Sequence, residues 1–184
     1  WPYLSSEDYH LRYAARIAIE WQDTKAWSDK AYLEKDDVAA IHALLGLARS
    51  DSKGSLAPSV KRLLKVDFAK LDKTGKLALL RTYGVIMSRG GKPEAGQVKA
   101  IGDQLDPHFP AKDDNLNEEL CRVLCYLQHP LVVEKTVALM QTTKAKVPDF
   151  DAEVMKRNKG YGGRILSSME SNPNILNIHF LFCL

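Results

Sequence analysis

Apolar residues return along this chain at three- and four-residue intervals, with regular punctuation between the runs. Leu11, Ala14, Ala15, Ala18 and Ile19 form one stripe, and Ser5, Ser6, Glu7 and Asp8 ahead of it suit a first helical turn. Val38, Ile41, Leu45 and Ala48 form the next. Asp36 and Asp37 precede it and Arg49 follows, charges that complement the helix dipole at both ends. Pro58 fits the first turn of a helix holding Val60, Leu63 and Leu64. Leu77, Leu80, Gly84 and Met87 make a fourth stripe, stopped by Gly90 and Gly91. Pro93 opens a helix carrying Val98, Ile101 and Leu105, which Pro107 and Pro110 end. Asn115 with Glu118 reads as a capping box ahead of Leu120, Val123, Leu124 and Leu127. Pro130 breaks that helix and begins another with Val133, Val137 and Met140. The pattern predicts seven or eight helices joined by short connections, so that neighbours pack antiparallel. Strand signals are nearly absent before residue 175. The tail Ile175–Leu184 is dense enough in apolar and aromatic residues to suit a strand, but too short for periodicity to decide. The expected fold class is all-α.

Two stretches read as one kind of unit used more than once. Ser6–Glu20 carries an acid, then Leu11-Arg12, then small residues at helical spacing that let a partner helix approach closely. Asn117–Met140 is a helix, a proline-marked turn and a second helix. Such a pair cannot cover both of its faces and must stack on neighbours, which predicts an α-α superhelix of antiparallel helix pairs.

The chain has 184 residues, 45% of them hydrophobic and 27% charged, which fits one domain with a real core. A chain of this size folds without metal or disulfides, and no apolar run approaches the roughly 18 residues of a membrane helix. There is no signal segment at the start. The first residue is Trp1 and the last ten residues are strongly apolar, so we expect residues 1–184 to be a single helical-repeat domain cut from a larger protein.

Charge is unevenly spread. The net charge is +3, but residues 51–100 carry +7 while residues 101–140 carry −4. Within the basic block, Lys61, Arg62, Lys65, Lys70, Lys73 and Lys76 are the candidate basic face. Such a face binds nucleic acid phosphates or is simply the solvated side of its helices. Only Phe68 and Tyr83 interleave with it as stacking platforms, so nucleic acid is the alternative partner rather than the expected one. Three cysteines make no disulfide framework. Cys121, Cys125 and His129 stand at four-residue spacing, as do His179 and Cys183, and thiolate with imidazole is a metal-ligand chemistry. Cys121 and Cys125 nevertheless fall within the apolar stripe of their helix, where cysteine serves as a small hydrophobe, and His129 stands next to helix-breaking Pro130. No metal and no cofactor are expected, and the haem-attachment pattern C-x-x-C-H is absent.

Asp8, Leu11-Arg12 and Ala15, with the Asn117–Met140 pair, resemble HEAT repeats. More narrowly, Leu11–Ala18, Leu79-Leu-Arg-Thr-Tyr83, Leu105-Asp-Pro-His-Phe-Pro110, Asn117–Leu127, Tyr161-Gly-Gly163 and Ile178-His179 resemble the helical-repeat region of large exported bacterial proteins of the planctomycete and verrucomicrobial type. Those proteins join such a region to a sorbosone-dehydrogenase-like propeller and to a cytochrome c or haem-binding domain. The resemblance implies a HEAT/armadillo-like fold and a periplasmic or exported location. None of that family's catalytic or haem-ligating motifs lies in this segment, so no functional residue is carried over.

Other chemistry is thin. Lys159-Gly-Tyr-Gly-Gly-Arg164 is the one glycine-rich loop with basic ends, and it lacks the spacing of a nucleotide loop. A tight connection between helices explains it more simply. Asp36 with Asp37, and Asp113 with Asp114, read as helix-capping pairs. His42 lies between stripe positions, as a helix-flank residue. Trp21, Trp27 and Tyr32 cluster at the first connection, where they suit the packing of a repeat end. The expected function is that of a non-catalytic scaffold, docking a protein partner or neighbouring domains of its own chain. The alternatives are a HEAT-like nucleic-acid binder using the basic block 53–99 and an enzyme with its site in the superhelical groove.

Overall fold

Aspartates start four of the helices. Asp8 Oδ1 accepts from His10 N at 2.7 Å and Leu11 N at 3.3 Å, and Asp36 Oδ1 accepts from Val38 N and Ala39 N at 2.9 and 3.0 Å. Asp72 Oδ1 accepts from Gly75 N at 2.7 Å, and Asp113 Oδ1 from Leu116 N at 3.2 Å. Each satisfies an amide that the helix itself leaves without a partner. The computed structural model describes residues 1–51, 54–144, 160, 162–164 and 173–184. Among the described residues every regular element is helical. In chain order they are α1 (Tyr9–Glu20), α2 (Ser28–Leu33), α3 (Asp37–Ser50), α4 (Leu56–Leu63), α5 (Lys73–Gly90), α6 (Ala95–Leu105), α7 (Asp114–Tyr126), α8 (Val132–Thr142) and α9 (Ile175–Cys183).

Helices α1, α3, α5, α7 and α9 touch in that order and form one layer. They run parallel. The C-terminal ends of α1 and α3 meet where Ser50 Oγ donates to Glu20 O at 3.3 Å and Arg49 Nε to Glu20 Oε2 at 3.1 Å. The N-terminal ends of α5 and α7 meet where Lys73 Nζ lies 2.6 Å from Asp113 Oδ2. His179 of α9 lies beside α7, its Nε2 3.2 Å from Glu118 O. The intervening helices make a second layer. α2 packs on α3 and α4, α4 on α3 and α5, α6 on α7, and α8 on α7 and α9. Gln97 Nε2 donates to Ala57 O at 3.0 Å and ties α6 to α4.

The core lies between these layers. α3 sits between α1 and α5 with α2 and α4 over it, and a run from Ala43 to Ala48 is wholly buried. Its sequence is apolar nearly all round, as a helix covered on several sides requires. Leu79, Leu80 and Tyr83 of α5, Ile101 and Leu105 of α6, and Leu120 and Leu124 of α7 continue the same core, which Phe180 closes at α9. Gly91 ends α5 at φ +94°, a left-handed backbone that favours glycine, with its N–H on Met87 O. Tyr83, fully buried, donates from its hydroxyl to Gln104 Oε1 at 2.7 Å. Gln104 Nε2 in turn donates to Leu63 O and Val66 O, 3.2 and 2.9 Å away, and so fastens the end of α4. Tyr83→Phe strands the Gln104 carbonyl, and we expect a loss of about 1–2 kcal/mol, read as a lower urea midpoint at unchanged m. An unchanged midpoint would mean that this pair contributes nothing net.

Several sequence expectations change. Leu11 does not face the core: it is 47% exposed, while Arg12 and Arg16 are buried on the side of α1 that meets α3. α7 is capped by Asp113, as its pairing with Asp114 suggested, two residues before the expected Asn115 box. The tail, which periodicity left undecided, is a helix over Ile175–Cys183. α2 appears where no stripe pointed to it. Within the glycine-rich stretch, Gly160 and Gly162–Arg164 are helical, and Lys159 and Tyr161 lie outside the described residues. Trp27 is buried and meets Trp1 edge-on with ring centroids 6.3 Å apart, whereas Trp21 stands 84% exposed.

Candidate functional site

Residues 81, 84, 85 and 88 share one side of α5, and 119, 122, 123 and 126 share one side of α7, by the three- and four-residue spacing of a helix. Because the two helices run parallel, these ridges flank a groove of about 280 Å³ on the outside of the first layer. Gly84 has open space where a side chain would stand, which lowers the α5 wall, and Val85, Met87 and Val123 make the floor apolar. The rim is polar and aromatic. Arg122 NH1 lies 2.5 Å from Glu119 Oε1, Tyr126 is 45% exposed, and Arg81 is exposed with no acidic partner among the described residues. Arginine and tyrosine around an apolar floor are the residue types that anchor protein partners. Which helix lies opposite α5 is a matter of tertiary register, and no sequence period reports that.

The candidate basic face does not stay together. Arg62 is buried: its Nε donates to Glu34 O and its NH2 to Asp37 Oδ1, both at 2.8 Å. Lys70 pairs with Asp67 at 3.3 Å, Lys73 with Asp113, and Lys76 stands over the Phe68 ring at 5.7 Å. Of the six, Lys61 and Lys65 remain exposed without an acidic partner among the described residues.

The three cysteines gather beside His179, and His129 separates from them. Cys121 Sγ lies 3.7 Å from Cys125 Sγ and 3.5 Å from Thr136 Oγ1, and Cys183 Sγ lies 3.5 Å from His179 Nε2. Burial pushes all three thiols up, Cys121 and Cys183 to about 11, so they are protonated thiols at neutral pH. His129 is elsewhere. Its Nδ1 is 3.4 Å from Asp106 Oδ1, which Lys135 Nζ approaches to 2.8 Å. The imidazole packs so tightly on α6 that a Cβ at Gly102 would meet its Cδ2 at 2.7 Å. Among the described residues no group of three or more His, Cys, Asp or Glu is arranged to hold a metal ion.

His42 has the most perturbed imidazole. Burial, with Arg12 and Arg16 beside it, pulls its pKa down to about 4. Comparison with family models, with curated proteins and with solved structures gives no match for the chain. Among the described residues no helix is long and apolar enough to cross a membrane.

Proposed function

We propose that the chain is a non-catalytic docking module, a HEAT/armadillo-like α-α superhelix whose partner lies in the groove between α5 and α7. The parallel first layer and the returning second layer support that reading, because stacked helix pairs present long continuous faces. The observation that carries it is Arg81, a guanidinium without an acidic partner among the described residues, beside the apolar floor of Gly84, Val85 and Val123. The partner is a protein segment with an apolar anchor flanked by carboxylates, supplied by another protein or by a neighbouring domain of the parent chain. On the resemblance to exported bacterial multidomain proteins, we place the module in the periplasm or outside the cell, next to dehydrogenase-like and cytochrome-like domains.

A fluorescent peptide with a central Leu-Phe anchor and Glu flanks tests the groove. It should bind more tightly than the same anchor with Lys flanks, and Arg81→Glu should weaken it about tenfold. Equal binding of the two peptides, or no effect of Arg81→Glu, would overturn the docking assignment. The nucleic-acid alternative predicts a steep salt dependence in a gel-shift series. With Arg62 buried and Lys70 and Lys73 paired, we expect little binding at any salt concentration.

A further inference from the structure

A second cavity, of about 500 Å³, lies where the N-terminal ends of α1, α3 and α5 come together. Arg12 and His42 line it from α1 and α3, Thr74 and Gly75 from the start of α5, and Lys70 from the turn ahead of α5. We propose that this cavity binds a small molecule bearing a phosphate monoester, with the phosphate on the Arg12 guanidinium and Thr74 and Lys70 at its rim.

Arg12 is the reason. The residue is 8% exposed, yet its hydrogen bonds run only to main-chain carbonyls, those of Ser6 and Glu7, and no carboxylate pairs with it among the described residues. A buried guanidinium is ordinarily paired with an anion. Arg16, one turn further along α1, does have its counter-ion in Glu20. The two acids that line the cavity are otherwise placed: Asp72 caps α5 through Gly75 N, and Glu7 stands exposed at the edge. Burial first, and then the nearby Arg12 and Arg16, hold the His42 imidazole in its neutral form. The Arg12 guanidinium, the Thr74 hydroxyl and the Lys70 ammonium, the last shared with Asp67 at 3.3 Å, line the cavity together, a set of donors that suits a tetrahedral anion better than a planar carboxylate. The volume exceeds what bare phosphate fills and leaves room for an organic body.

The probes are inorganic phosphate, glycerol 3-phosphate, acetate and chloride at matched ionic strength, added to the full chain. Binding at pH 7 is followed by calorimetry and the His42 imidazole titration by NMR. Both phosphates should bind, glycerol 3-phosphate more tightly. Each should raise the His42 midpoint, because a bound anion offsets the arginines, while chloride leaves it in place. Arg12→Gln should lower affinity at least about tenfold. Should that variant fail to fold, Lys70→Glu decides, since Lys70 is a solvated side chain whose reversal leaves the core untouched and should weaken binding severalfold. The proposal is overturned if chloride moves His42 as far as phosphate does. It is equally overturned if acetate binds as well as glycerol 3-phosphate, or if a folded Arg12→Gln or Lys70→Glu protein binds phosphate unchanged.

Discussion

Acidification from about pH 7.5 to about pH 4.5 should remove on the order of 2–3 kcal/mol of stability through one side chain, His42. Its pKa is about 4 in the folded protein against an ordinary 6.5, first because it is buried and then because Arg12 and Arg16 are near. Between those two values the unfolded chain binds a proton that the folded chain refuses, so stability rises with pH across the window. The full contribution is present above 6.5, is lost as pH falls, and stops changing below about 4. The charged groups around the imidazole are Arg12 and Arg16 on α1, Glu7 ahead of α1, and Lys70 and Asp72 ahead of α5. The carboxyls of Glu34, Asp67 and Asp113 are held low by hydrogen bonds from Trp1, Lys70 and Lys73 respectively. Their contributions are therefore kept above the ordinary carboxylate values of 4.5 and 3.8 and are lost as pH falls below them, at the acid end of the His42 window. Urea unfolding at several pH values, compared with His42→Gln, isolates the effect. The variant should lose the slope between pH 6.5 and 4.5 whatever its own stability. A variant that keeps the slope would show that His42 is not its source.

How far the chain could be read without coordinates depended on the range of each interaction. Local signals carried well. Asp36 starts α3, Gly90 and Gly91 end α5, and Pro130 separates α7 from α8, each through chemistry confined to one turn. α2 escaped notice because six residues span fewer than two turns and leave no period to detect. The orientation of α1 escaped for a different reason. Arg12 and Arg16 lay their alkyl stems against α3 and find acceptors for their heads, on Ser6 O and Glu7 O for one and on Glu20 for the other. A hydrophobicity pattern counts both arginines as solvent-facing. The basic block failed as a unit for the same reason. Lys73 and Asp113 are 40 positions apart and pair only once α5 and α7 are side by side, whereas Lys99 and Asp103, four apart on α6, could be anticipated. The α5–α7 groove and the cavity by Arg12 both depend on register between parallel helices, which no single stretch of sequence contains.

Arg62 gives the second large effect, and it separates a structural arginine from a ligand-binding one. It reaches from α4 to the carbonyl of Glu34 just after α2 and to the carboxylate of Asp37 in the first turn of α3. Replacement by Met keeps much of the buried stem but strands that carbonyl and removes the partner of Asp37. We expect a loss of about 2 kcal/mol, below the 3–5 of a fully buried pair because the Asp37 side chain is 39% exposed. Arg62→Lys should recover only part of this, since one ammonium cannot reproduce the planar fork that serves both acceptors. Lys61→Met and Lys65→Met, its exposed neighbours in sequence, should each stay within about 0.5 kcal/mol of the parent protein. Urea midpoints for the four variants decide the matter. A basic face built for phosphate predicts the opposite ranking, with Arg62→Met as harmless to stability as its neighbours and all three weakening nucleic acid alike. If Arg62→Met unfolds at the parent midpoint, the contacts to Glu34 and Asp37 do not hold α4 against the α2–α3 turn, and the basic block again becomes a candidate surface.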